Sequence, residues 1–100
     1  MKTLDMQDLL KQYKIDVEFI EDFIDNDPVE IQEVFYKRME ILKHFDELNW
    51  KEVKEFLKIE KLLDKYLPTI KEKYPLLYEK IIEPENKLLK NKLIEILTTA

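Results

Sequence analysis

Asp27-Pro28-Val29-Glu30 and, further along, Leu48-Asn49-Trp50-Lys51-Glu52-Val53 are the two stretches that decide the fold of this chain. The first sets an acid at an N-cap and a proline at the first helical position, where its missing N–H costs nothing. A glutamate three residues past the cap is spaced to reach back to the cap amide. The second repeats the device, with Asn49 as cap, Glu52 closing the capping box, and Leu48 and Val53 spaced as a hydrophobic staple. The chain therefore reads as two long helices, about 28–48 and 50–67, doubled back at Asn49 into a central antiparallel hairpin. At about 100° per residue, Ile31, Val34, Phe35, Met39, Ile41, Leu42, Phe45 and Leu48 share one face of the first helix. Val53, Phe56, Leu57, Ile59, Leu62, Leu63, Tyr66 and Leu67 spread over more than half of the second, which predicts a central helix covered on two sides.

Two charges interrupt those faces. Arg38, the sole arginine, lies among Ile31, Phe35, Leu42 and Phe45, and Glu60 lies among Val53, Leu57, Leu63 and Leu67. Arg38 stands eleven residues before Asn49 and Glu60 eleven after it, so an antiparallel hairpin sets them opposite each other. A structural buried ion pair is the expectation, because a guanidinium without a carboxylate is costly in a core while a paired one is near neutral and fixes register. Arg38 as an anchor for a phosphate or carboxylate is the functional alternative.

Composition bounds the rest. One hundred residues is the size of a single domain, here 1–100, large enough for a core without staples. The absence of cysteine removes disulfides, thiolate metal sites and thiol catalysis. There is no apolar run near twenty residues and no signal-like h-region, so the expected location is cytoplasmic, with no membrane partner. Glycine and serine are both absent. That excludes P-loops, dinucleotide fingerprints and nucleophile elbows, and leaves four threonines for triad-type catalysis. The chain reads as a non-enzyme with no cofactor and no small-molecule substrate. Abundant lysine and glutamate, with alanine only at Ala100, fit an AT-rich gene and a thermophile's surface ion pairs.

Outside the hairpin, Thr3 is placed to cap a short helix to about Tyr13, with Leu4, Met6, Leu9 and Leu10 inward and a turn at Lys14–Ile15. Asp16 is placed to cap a second helix to about Asp25, Ile15 stapling onto Ile20. This pair has the outline of a helix-turn-helix, but Asp16 to Glu33 holds eight acids and no base, which repels phosphates. Asp22, Asp25 and Asp27 lack the glycine and closing glutamate of a calcium loop. A kinked helix is expected from Pro68 to about Ile82, with Ile70, Tyr74, Leu77 and Ile81 in one stripe. A last helix follows from about Pro84 to Leu97, with Leu88, Leu89, Leu93, Ile96 and Leu97 inward. The result is an all-α, single-domain bundle of five or six helices.

Net charge is −5, unevenly spread: residues 1–50 carry six basic and thirteen acidic side chains, residues 51–100 eleven and nine. Lys51, Lys54, Lys58, Lys61 and Lys65 follow a 3-4-3-4 spacing and form a basic ridge on the second hairpin helix. Glu33, Glu40 and Glu47 recur every seven residues on the outer face of the first. His44, four after Glu40, makes half a metal site at most, and the chain has no second histidine, so no metal is assigned. These surfaces point to a non-enzymatic interaction module that self-associates or binds a protein partner by charge complementarity, with a dimer as the expected oligomer. The alternatives are a nucleic-acid-associated regulator using the same lysines and, further off, an enzyme with carboxylate or lysine chemistry, for which no acid–base constellation is visible.

Overall fold

Asp5 opens the first helix: its side chain accepts from the amides of Gln7 and Asp8 at 3.1 and 3.3 Å. In the computed structural model, which describes residues 5–99, that helix is α1, Met6–Glu18. Thr3 and Leu4 lie outside the described residues. The expected turn at Lys14–Ile15 is helical, and Asp16 is not a cap. Leu10, Tyr13 and Val17 are buried at 3-4 spacing, so the apolar stripe runs straight through, and the Asp16 carboxylate pairs with Lys37 instead. The break falls at Phe19, and Ile15 is half exposed rather than stapled to Ile20.

Helix α2 spans Ile20–Asn26 and α3 spans Pro28–Lys43. Asp27 caps α3, accepting from Glu30 N at 3.2 Å, but the return bond from Glu30 is missing because the Asp27 amide already donates to Phe23 O. The expected run to residue 48 closes early in a 3-10 turn, Phe45–Glu47. Helix α4, Trp50–Asp64, then starts on a complete capping box, with Glu52 N to Asn49 Oδ1 at 2.8 Å and Asn49 N to Glu52 Oε1 at 2.9 Å.

The chain turns at Asn49, and contacts order outward from it: Phe45 meets Phe56 edge-on at 5.7 Å, and farther out Arg38 meets Glu60. The expected close antiparallel hairpin does not form the centre of the bundle. The backbones of α3 and α4 approach each other little, and α1 packs against both. Tyr13 of α1 stacks on Phe56 at 5.9 Å. Long side chains, rather than close helix packing, thus bridge α3 and α4. Leu57 stays partly exposed on α4, which is covered on one side rather than two.

Pro68 sits in the first turn of α5, Leu67–Lys73, where a ring is tolerated. Pro75 breaks the chain rather than kinking it: Tyr74, held out of the helical region by the ring that follows, has φ −128° and ψ 65°. Its hydroxyl donates to Ile24 O at 2.8 Å and ties this break to α2. From Pro75 the chain is helical to Thr99, and this run is α6, residues 75–99. It consists of one turn at Pro75–Leu77, a π-helical turn at Tyr78–Ile82 and a long segment Glu83–Thr99.

Pro84 accounts for the π turn. An interior proline lacks an N–H and collides with the carbonyl four residues back, and a widened turn just before it relieves the clash. The Glu83 amide accordingly donates to Tyr78 O, five residues back. The extra residue shifts the inward face by one. Ile82, not the expected Ile81, is fully buried, while Ile81 is 40 % exposed. Leu97, also expected inside, is exposed.

Together these elements form an all-α bundle of six helices, with no strand among the described residues. Its radius of gyration, 13.5 Å, is that of a compact chain of this length. None of its helices is long and apolar enough to cross a membrane, among the described residues.

The π turn makes a sharp contrast measurable. Ile82→Ala should cost about 2–4 kcal/mol of unfolding free energy in urea, and Ile81→Ala less than about 1 kcal/mol. Equal losses would mean that the inward register is not the shifted one.

Candidate functional site

Four helices converge on Arg38. It projects from α3 with its guanidinium 5.8 Å from the centre of the Phe35 ring and its side chain 1 % exposed. Its Nε and Nη2 donate to the same oxygen, Glu60 Oε1, at 2.9 and 2.7 Å. Nη2 also donates to Asn86 Oδ1 at 2.7 Å, and Nη1 reaches Glu85 Oε1 at 3.5 Å. Tyr13 of α1 donates its hydroxyl to Glu60 Oε2. Every fully buried side-chain nitrogen and oxygen among the described residues has a hydrogen-bond partner, which is the condition for such a network to be tolerated in a core.

Tyr13, Glu85 and Asn86 were not singled out in the sequence. Glu85 had a legible sign: it precedes Leu88 and Leu89 by three and four residues and so shares their face. One residue past Pro84, it reads as an ordinary first-turn acid. Tyr13 continues the Leu10 stripe, but its contact with Glu60 is a tertiary one.

The electrostatics follow from burial. Desolvation raises the Tyr13 phenol well above its usual value, and the adjacent Glu60 charge adds to this. Burial works against the Arg38 cation and is the largest single effect, but Glu60, Tyr13 and Glu85 together outweigh it and the guanidinium is held even more firmly charged than usual. Glu85 behaves oppositely. Burial drives its carboxyl up to about 8; Arg38, at 3.5 Å, recovers only part of that cost, and the Glu60 charge adds to it. Near neutral pH Glu85 is therefore mostly protonated, and one cation faces one anion.

The basic ridge lies elsewhere. Lys51, Lys54, Lys58, Lys61 and Lys65 are all exposed. Among the described residues none of the five has an ion-pair partner, whereas Lys37, Lys43, Lys73 and Lys92 each pair with a carboxylate. Trp50, 62 % exposed, and Leu57 border the ridge on the same helix. Beside Trp50 an apolar groove of about 340 Å³ is lined by Phe45, Leu48, Val53 and Ile96.

The acidic face of α3 is less available than its spacing suggests. Glu40 takes Lys43 at 3.3 Å and Glu47 lies 2.6 Å from His44 Nδ1, leaving Glu33 exposed and unpaired among the described residues. His44 thus faces Glu47 rather than Glu40. Free acids gather instead around the α1–α2 junction, where Glu18, Glu21 and Asp22 are exposed without partners among the described residues.

No family model matches this chain, and comparison with curated proteins and with solved structures finds no match either.

Two measurements probe the network. In the fold Glu85 keeps its proton to about pH 8, whereas unfolded it releases it near 4.5. The native state therefore binds more protons in between. The stabilisation is fully present below about pH 4.5 and is lost as pH rises through 8, with a slope of at most about 1.4 kcal/mol per pH unit. Glu85→Gln should flatten that slope in urea titrations between pH 5 and 9; an unchanged profile would assign the dependence to other groups. Arg38→Met alone should cost about 3–5 kcal/mol by stranding Glu60. In a double-mutant cycle with Glu60→Leu the losses should be far from additive, and additive losses would mean the pair is not coupled.

Proposed function

We propose that this protein is a non-enzymatic helical interaction module that self-associates, setting the lysine ridge of one copy against the acidic α1–α2 surface of another. The observation that carries this reading is the ridge itself: five lysines on one face of α4, all exposed and all without an intrachain carboxylate among the described residues. Charges left uncompensated along one helix steer and orient an acidic surface, although exposed pairs contribute only about 0–1 kcal/mol each.

Affinity needs an apolar anchor, and Trp50 and Leu57 at the ridge border supply one, tryptophan being the residue type most enriched among binding hot spots. The complementary face, Glu18, Glu21 and Asp22, belongs to different helices from the ridge. The contact would then join unlike surfaces, head to tail. The buried network takes no part in chemistry under this reading; it holds α1, α3, α4 and α6 in register.

A nucleic-acid role would use the same lysines. The protein partner is favoured because the acids of α1 and α2 add repulsion to any extended phosphate backbone, while Trp50 stands alone rather than in a series of stacking aromatics.

Light scattering coupled to size exclusion tests the proposal. Association should appear at about 50 mM salt and weaken steeply towards 500 mM, a range over which exposed charges become screened. The triple variant Lys54→Glu, Lys58→Glu, Lys61→Glu should be monomeric with an unchanged helical signal, and Trp50→Ala should weaken association about tenfold. Association indifferent to salt and to the ridge would refute the proposal, as would a strict monomer at low salt. Filter binding to duplex and single-stranded DNA at about 50 mM salt examines the rival, which survives only if affinity is measurable there.

A further inference from the structure

Between α3 and the π turn of α6 runs a groove of about 370 Å³, within the size range of small-molecule sites. Tyr36, Met39, Ile81 and Pro84 form its walls. The π turn creates it in part, because the extra residue that carries Ile82 into the core turns Ile81 outward. Such turns occur often at functional sites.

Glu85 also lines this groove, although its side chain is only 1 % exposed. Its Oε1 accepts from Arg38. Its Oε2 has no hydrogen bond among the described residues. Every fully buried oxygen there is satisfied, so Oε2 is not fully buried, and the groove is the opening that Glu85 lines. This is a buried carboxyl with one oxygen held from behind and the other presented to an apolar cleft.

Counting charges indicates what the cleft accepts. Arg38 supplies one positive charge and Glu60 with Glu85 two possible negative ones, so full ionisation leaves one anion uncompensated in an apolar setting. A ligand bringing one positive charge to Oε2 makes the set neutral, whereas a neutral or anionic ligand leaves the imbalance or worsens it. The apolar walls favour a hydrocarbon body, and the exposed Tyr36 ring adds a face for a cation.

We infer that this groove binds a small organic monocation, a protonated amine on an apolar body, with Glu85 as its counter-ion. The ammonium donates to Glu85 Oε2, and the proton that Glu85 holds up to about pH 8 passes to solvent. The charged and titratable groups around Glu85 are Arg38 from α3, Glu60 from α4, Tyr13 from α1 behind Glu60, and Glu33 and Lys80 along the groove, which carry opposite charges. Lys80 competes with the ligand, so Lys80→Ala should strengthen binding.

The test is calorimetric titration of the full chain with 2-phenylethylamine and its neutral counterpart 2-phenylethanol. At pH 8.5 the amine should bind at least about tenfold tighter than the alcohol, and its affinity should fall about tenfold per pH unit below 8 as one proton must be displaced. Glu85→Gln should abolish the preference for the amine without lowering the melting temperature, since it removes the cost of ionising Glu85 at this pH. Tyr36→Ala, exposed and outside the ion network, should weaken amine binding several-fold, so the inference stays testable should Glu85→Gln not fold. Equal binding of amine and alcohol would overturn it, as would full amine affinity in Glu85→Gln or no heat of binding up to about 10 mM, weaker than a ligand of this size achieves in a fitting site.

Discussion

A guanidinium in the core is the constraint on which this structure depends. It cannot shed its charge, and it carries five donors in a rigid plane, so the fold has to bring acceptors to it from several directions. Glu60 arrives from α4, Asn86 and Glu85 from α6, and Tyr13 reaches in from α1 to complete the second oxygen of Glu60. Each fixes the rotation and depth of its helix relative to α3. Apolar packing supplies most of the free energy of a domain this size, but many sliding arrangements of greasy helices are nearly as good. One cation with three defined partners is far more selective.

The network also carries a tension. Two carboxyls share one guanidinium, and burial leaves room for only one ionised partner. Glu85 is the one that yields, because its contact with Arg38 is long, at 3.5 Å against 2.7 Å for Glu60. The helix that delivers Glu85 bears a second mark of compromise, the π turn ahead of Pro84. Backbone accommodation and buried carboxyl meet at one groove, where a charge imbalance in the core becomes accessible from outside.

The surface follows a different logic from the interior. Glu40 at the end of α3 and Glu47 in the 3-10 turn after it are taken up locally by Lys43 and His44. The lysines of α4 are not taken up, since their own face offers only Glu55 and Asp64 at its margins, and neither forms an ion pair with them. The charge along the chain is negative in its first half and positive in its second. Electrostatic asymmetry of this kind acts on encounter and orientation more than on stability.

The sequence by itself determined the helical class, the starts of α3 and α4, and the turn at Asn49. These are local matters: a cap, a proline or a box of hydrogen bonds is encoded within four or five residues. The buried charges at positions 38 and 60 were legible as well, because an amphipathic stripe makes a polar intruder conspicuous. Tertiary structure alone decided that α1 would lie against both α3 and α4, since those contacts join residues with no fixed spacing along the chain. It also decided the register beyond Pro75. Whether a helix meets a proline by breaking, as at Tyr74, or by widening, as before Pro84, depends on what the following face must pack against. That choice carried Ile82 inward, left Ile81 as a wall of the groove, and helped set Glu85 beside Arg38.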